Sequence, residues 1–119
     1  MGVWEIITTE NYDAWLLEQI EEDISAIFGR VFLLGEEGPY LGRPYADTLK
    51  GSKKRSNLKE LRVKTDAREF RIAYIFDPDR KGVLLIGGDK KGKNQRKFYK
   101  DLIREAEQIY AAYLEHKVK

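Results

Sequence analysis

Three stretches decide how this chain folds: Leu58-Lys-Glu-Leu-Arg-Val-Lys64, Phe70-Arg-Ile-Ala-Tyr-Ile-Phe76 and Gly82-Val-Leu-Leu-Ile-Gly87. Each is a short run enriched in aliphatic, aromatic or β-branched residues, which reads as a strand. Their separators, Thr65-Asp-Ala-Arg-Glu69 and Asp77-Pro-Asp-Arg-Lys81, are brief and rich in turn formers, so the three strands are expected to pair as an antiparallel meander. Alternation puts Leu58, Glu60 and Arg62 on one face of the first strand and Lys59, Leu61 and Val63 on the other. In the second strand Phe70, Ile72, Tyr74 and Phe76 form a core face, leaving Arg71 beside Ala73 and Ile75 on the opposite one. An arginine in mid-sheet is costly unless an anion meets it, and either an ion pair with Glu60 or Glu69 or an anionic ligand would serve.

Upstream, Val3, Trp4, Ile6 and Ile7 make a further short strand that ends at Thr8 and Thr9, both able to cap a helix. From residue 11 to 36 the positions Leu16, Leu17, Ile20, Ile24, Ile27 and Phe28 recur at helical spacing, with acidic residues opposite and a break allowed at Gly29. Gly38 and Pro39 stop that helix, and residues 38–57 are a long connection without periodicity, of the kind that is functional or mobile. From Gln95 onward Phe98, Leu102, Ala106, Ile109 and Tyr113 mark a C-terminal helix with one apolar face. The expected order is β-α-β-β-β-α, an α+β fold in which a small antiparallel β-sheet is flanked by helices, and residues 1–119 form a single domain.

Composition narrows the function. The 119 residues are 42% hydrophobic and 12% aromatic, enough for a core and incompatible with a disordered chain. With no cysteine, a disulfide framework, a thiol nucleophile and a Cys-based zinc site are excluded. No apolar run is long enough to span a bilayer and no signal-peptide pattern opens the chain, so a cytoplasmic location without membrane association is expected. Charge is strongly polarised: residues 1–50 hold 3 basic and 10 acidic side chains, whereas residues 51–119 hold 19 and 10. A polyanion, nucleic acid first, is the expected partner of the basic half.

Several chemistries fit poorly. The single histidine, His116, stands near the C-terminus as a solvated helix residue, so a Ser/His/Asp triad has no base. Asp77 and Asp79 flank Pro78 as turn caps, with no His or Cys nearby, and no metal site or cofactor is expected. The loop Gly87-Gly-Asp-Lys-Lys-Gly-Lys93 lacks P-loop spacing, yet its glycines and lysines suit a phosphate. Cleavage of RNA through its own 2′-hydroxyl needs proton transfer and stabilisation of phosphorane charge, and fixed guanidinium and ammonium groups supply the second.

The phrases Leu41-Gly-Arg-Pro-Tyr-Ala-Asp-Thr-Leu-Lys-Gly-Ser52, Leu58-Lys-Glu-Leu-Arg62, Arg68-Glu-Phe-Arg-Ile-Ala-Tyr-Ile-Phe-Asp-Pro78 and Leu84-Leu-Ile-Gly-Gly-Asp-Lys-Lys-Gly92, in this order, resemble the phage-derived HigB-type toxins of the RelE/ParE toxin superfamily. The resemblance implies the toxin of a type II toxin–antitoxin system, a metal-independent endoribonuclease that cuts mRNA on the translating ribosome. It implies a cognate antitoxin, often a helix-turn-helix DNA-binding protein, with the ribosome and mRNA as further partners. It also implies site residues. Arg71 corresponds to the family's arginine in the penultimate strand, Lys90 or Lys91 to the basic residue after the last strand, and Lys59 or Arg62 to those of the strand before. Arg71 would hold the scissile phosphate, Lys90 or Lys91 would meet developing charge, and Lys53, Lys54, Arg55 and Lys93 would grip RNA backbone. No histidine stands directly after the last strand, which leaves the general base among Asp89, Glu60 and a lysine, and base stacking to Tyr99. Two alternatives share these features: a ParE-type inhibitor of DNA gyrase, and a non-catalytic RNA- or ribosome-binding module.

Overall fold

The computed structural model describes residues 4–118. Its elements are β1 (Glu5–Thr8), α1 (Glu10–Leu17), α2 (Glu21–Glu37), a single 3-10 turn (Gly38–Tyr40), β2 (Ala46–Thr48), β3 (Lys59–Lys64), β4 (Glu69–Phe76), β5 (Lys81–Asp89) and α3 (Gln95–Val118). The strands form one sheet in the order β1-β5-β4-β3-β2. The α+β class and the β3-β4-β5 meander stand as expected, and Val3 of the anticipated first strand lies outside the described residues.

Three expectations need correction. The sheet is not wholly antiparallel, because β1 runs parallel to β5, Glu5 opposite Lys81 and Thr8 opposite Leu84. The connection after Pro39 contains a short strand, β2, antiparallel to β3 with Ala46 opposite Leu61. The first helical region breaks at residues 18–20 and runs straight through Gly29. That break is built locally: the N–H groups of Glu18 and Gln19 bond back to Trp15 and Leu16, and Ile20 is extended at φ −74° and ψ 158° before an acidic first turn starts α2. Each helix can then seat its own face. Thr9 caps α1 by accepting from the Tyr12 N–H at 3.2 Å, and its hydroxyl donates to the carbonyls of Leu84 and Leu85.

The sheet is covered on both faces. Phe70, Ile72 and Tyr74 of β4 pack with Leu61, Val63 and Leu84 against Tyr12, Ile27 and Leu34 of α1 and α2. Ala73 and Ile75 point the other way, with Leu58, Val83 and Leu85, against Leu102, Ala106 and Tyr110 of α3. Burial of this apolar surface on both sides is the main stabilising term. A register shift opposite Ala73 and Tyr74 lets β5 turn its last residues, so that Gly87 lies under Trp15 of α1 and Gly88 under Phe98 of α3. The far end of α3 is tied down by Lys117, whose Nζ meets Asp77 Oδ2 at 3.0 Å, while Asp77 Oδ1 accepts from the N–H groups of Asp79 and Lys81.

Two alanine substitutions read this packing in opposite directions. A Cβ on Gly87 would come within 2.5 Å of the Trp15 ring, so Gly87→Ala is expected to destabilise by about 1–3 kcal/mol through overpacking. A Cβ on Gly29 meets nothing within 4 Å, and Gly29→Ala should stabilise by about 0.5–1 kcal/mol through reduced chain entropy in a helix. Urea unfolding midpoints of the two variants check both signs.

Candidate functional site

β2 pairs with β3 only over Lys59 to Leu61, so the next residues of β3 run on past the end of β2. The turn before β2 supplies one more bond there, the Arg62 N–H donating to the Tyr45 carbonyl at 2.8 Å. Arg30 of α2 reaches the same edge and donates from Nη1 to the Arg62 carbonyl at 2.6 Å. Its guanidinium lies over the Tyr45 ring, 4.6 Å from the centroid. A cleft of about 400 Å³ opens at this corner, lined by Arg30, Pro44, Tyr45, Arg62, Lys64, Glu69 and Arg71. Four cations and one carboxylate therefore face a single cavity, an arrangement that recruits an anion.

The strand register creates this charge density. Arg62 stands directly opposite Arg71, and Glu60 opposite Ala73, all on the face that α3 covers. Facing like charges repel. Glu60 offsets them from below: its Oε2 is 3.4 Å from Arg62 Nε and its Oε1 is 3.5 Å from Arg71 Nε. Tyr99 of α3 closes the network, donating its hydroxyl to Glu60 Oε1 at 2.8 Å and accepting from Arg71 Nε at 3.1 Å. Arg71 also donates from Nη1 to the Phe70 carbonyl at 2.9 Å, and its Nη2 lies 3.9 Å from Glu69. Both ion-pair partners expected for Arg71 are thus present. Burial, and then the hydrogen bond to Glu60, push the Tyr99 hydroxyl above its ordinary pKa against the opposing pull of Arg71, so it remains a proton donor to Glu60.

The side chains of Arg71 and Glu60 are only 8% and 5% exposed, whereas Arg62 is 26% exposed. Arg62 Nε is buried without a hydrogen bond, meeting Glu60 only as an ion pair. With Glu60 and Glu69 set against Arg30, Arg62, Lys64 and Arg71 the corner keeps an excess of positive charge, and planar guanidinium donors match a phosphate.

The remaining expected site residues are spread out. Lys90 stands beside the network, its Nζ 5.8 Å from the centre of the Tyr99 ring and 3.5 Å from Gln95 Oε1. Lys91 reaches away to the Asp66 carbonyl at 3.1 Å. Lys59 lies on the opposite face and donates to the Pro39 carbonyl at 3.1 Å, apart from Arg62 and Arg71. Lys53 and Lys54 are exposed, and Arg55 covers the Tyr110 ring at 4.9 Å. Tyr110 follows Tyr99 by 11 residues along α3, or about 16 Å at helical rise, which separates this basic segment from the corner. Lys93 borders a second cleft with Phe98, Leu102, Lys97, Asp101 and Glu105, where the charges are mixed. Asp89 organises the hairpin ends: burial raises its carboxyl pKa, but N–H groups of Glu69 and Lys91 and the Arg68 guanidinium outweigh this and hold it below its ordinary value. Among the described residues no cluster of His, Asp and Glu is arranged to hold a metal ion.

Arg30, Lys64, Glu69 and Tyr45 were not among the expected site residues. Lys64 shares the alternation of Arg62, a signal present in the strand pattern, whereas Arg30 and Tyr45 arrive from distant segments by the packing of α2 and the turn before β2.

Comparison with known proteins adds to this geometry. The family model described as phage-derived protein Gp49-like matches residues 14–111. The toxin candidate HigB2 of Mycobacterium tuberculosis is 38% identical over 106 residues, covering 88% of this chain and 52% of its own length, so the chain spans about half of that relative. The toxin candidate HigB3 of the same organism is 36% identical over 103 residues, covering 87% of each. Among solved structures, a variant of the E. coli toxin RelE in its free state superposes with a TM-score of 0.61 at 11% identity, over 91% of this chain and 97% of that one. The toxin–antitoxin complex RelBE2 of M. tuberculosis contains a chain that matches with a TM-score of 0.57 at 15% identity, over 75% of this chain and 99% of that one. These two likenesses show the fold.

Removing Glu60 takes the buried counter-charge from two arginines, so Glu60→Ala is expected to destabilise by about 3 kcal/mol. Combined with Arg71→Ala the loss should fall short of the sum, giving a coupling of about 1–3 kcal/mol by denaturant unfolding. Asp89 has a depressed pKa when folded, so its contribution is full above the ordinary carboxylate value of 3.8 and is lost as pH falls through the depressed one. Asp89→Asn should accordingly be less stable than the parent at neutral pH, with the gap closing under strong acid.

Proposed function

This chain belongs to the Gp49-like family of phage-derived proteins, in the HigB type of the RelE superfamily, and from its basic corner we propose that it is a toxin that cuts mRNA on the translating ribosome. The observation that carries the reading is the cross-strand pair of Arg62 and Arg71, backed by one buried carboxylate and opening into a cleft with Arg30, Lys64 and Glu69. Such a clamp holds a phosphodiester and becomes more favourable as negative charge builds on the phosphorane. The ribose 2′-oxygen attacks the adjacent phosphorus, its proton passing to Glu69, the one carboxylate in the lining. The bond from phosphorus to the 5′-oxygen breaks, that oxygen takes a proton from the Lys64 ammonium, and the products are a 2′,3′-cyclic phosphate and a 5′-hydroxyl.

An antitoxin encoded beside the toxin would neutralise it by laying an acidic or amphipathic segment over this corner, with the cytoplasm as the site of action. A carboxylate set among the cations favours catalysis over plain RNA binding, which needs cations alone.

The test is a cell-free translation reaction with an end-labelled message, run with and without ribosomes. The protein should generate new 5′ ends only when ribosomes are present. Arg62→Gln and Glu69→Gln should each lower the cutting rate by about a hundredfold or more. An intact message alongside growth arrest in cells would overturn the nuclease reading and point to gyrase. Cutting that declines only in proportion to lost charge, whichever cation is removed, would overturn the assigned roles.

A further inference from the structure

We propose that Tyr45 is a stacking platform for one nucleobase of the single-stranded RNA whose phosphate the arginine pair holds. The inference rests on the reading of the corner cleft as an RNA site and adds a base subsite to it. Tyr45 is a large aromatic left 41% exposed, although one face of its ring is covered by the Arg30 guanidinium at 4.6 Å. With that contact made, Tyr45 still keeps this exposure, and it lines the same cleft as Arg62, Lys64 and Arg71.

The ring is also held in place. The N–H groups of Tyr45 and Ala46 both donate to the Gly42 carbonyl, at 3.0 and 3.1 Å, and the Tyr45 carbonyl accepts from Arg62. Arg43 ties the turn to β2 through Asp47, with Nε donating to Oδ2 at 2.9 Å. Arg30 is fixed in turn by its bond to the Arg62 carbonyl. A platform whose backbone is bonded to the phosphate-binding strand keeps a constant offset from the clamp, as a base and its own phosphate require. Every nucleobase presents a π-face, so stacking here gives affinity and orientation with little sequence preference. The surrounding cations favour a nucleic acid over an apolar protein segment as the occupant.

A short single-stranded RNA carrying one 2-aminopurine reports the stack, because its fluorescence is quenched when the base lies on an aromatic ring. Titrated at low salt, the protein and Tyr45→Phe should quench the probe alike. Tyr45→Leu, which keeps bulk but no ring, should bind about ten- to a hundredfold more weakly and leave bound probe unquenched. Arg62→Gln should weaken binding while whatever binds is still quenched. Quenching by Tyr45→Leu equal to the parent overturns the stacking assignment alone, provided binding still depends on Arg62. Failure of the parent protein to bind the RNA removes the RNA reading of the cleft, and the base subsite with it.

Discussion

Arg62 and Arg71 face each other across two central strands, and a single buried carboxylate, Glu60, lies against both. That constraint shapes the functional half of the molecule. A one-residue slip between β3 and β4 would turn Glu60 and Arg62 into the apolar cluster beneath α2 and bring Leu61 and Val63 to the other face, so the hydrophobic pattern fixes the register that juxtaposes the arginines. Tyr99 then locks α3 onto the same carboxylate. The cost of burying charge is offset by hydrogen bonding, and the remaining positive excess is directed outward at the cleft.

The two faces of the sheet have divided their tasks. Under α1 and α2 the packing is almost wholly apolar, with Trp15 pressed against Gly87 and Phe70. Under α3 the apolar cluster gives way to the ionic network at Tyr99, and beyond it the surface opens. The side chains that leave the core are those of one alternation, from Ala73 through Arg71 on β4 and from Glu60 through Arg62 to Lys64 on β3. The pattern that builds the core therefore also builds the clamp, and stability and function meet at Glu60.

Much of this was legible in the chain. Alternation in Phe70–Phe76 identified both the face packed under α1 and α2 and the placement of Arg71 on the opposite one, because strand periodicity is local and the run is long. The parallel pairing of β1 was not, since Glu5 and Lys81 meet only through long-range topology that no local signal encodes. Nor was the helix break at residues 18–20, because apolar spacing continues across it, whereas Gly29 needs no special backbone geometry. Lys53, Lys54 and Arg55 looked like part of one basic face by composition, but composition carries no position: Arg55 lies over Tyr110, away from Tyr99 along α3, and Lys53 and Lys54 are exposed. Arg30 lay in the acidic half of the chain and reaches the cleft only because α2 crosses the edge of β3.

The arginines of this corner, and not the wider basic surface, are the groups expected to take up a phosphodiester. The most direct measurement is side-chain NMR of arginine Nε resonances during titration with a short single-stranded RNA. Arg62 and Arg71 should shift first and together with Arg30, while Arg55 and Arg104, the latter paired with Asp101 on α3, move little. Shifts concentrated at Arg55 and Arg104, with the corner unchanged, would contradict it.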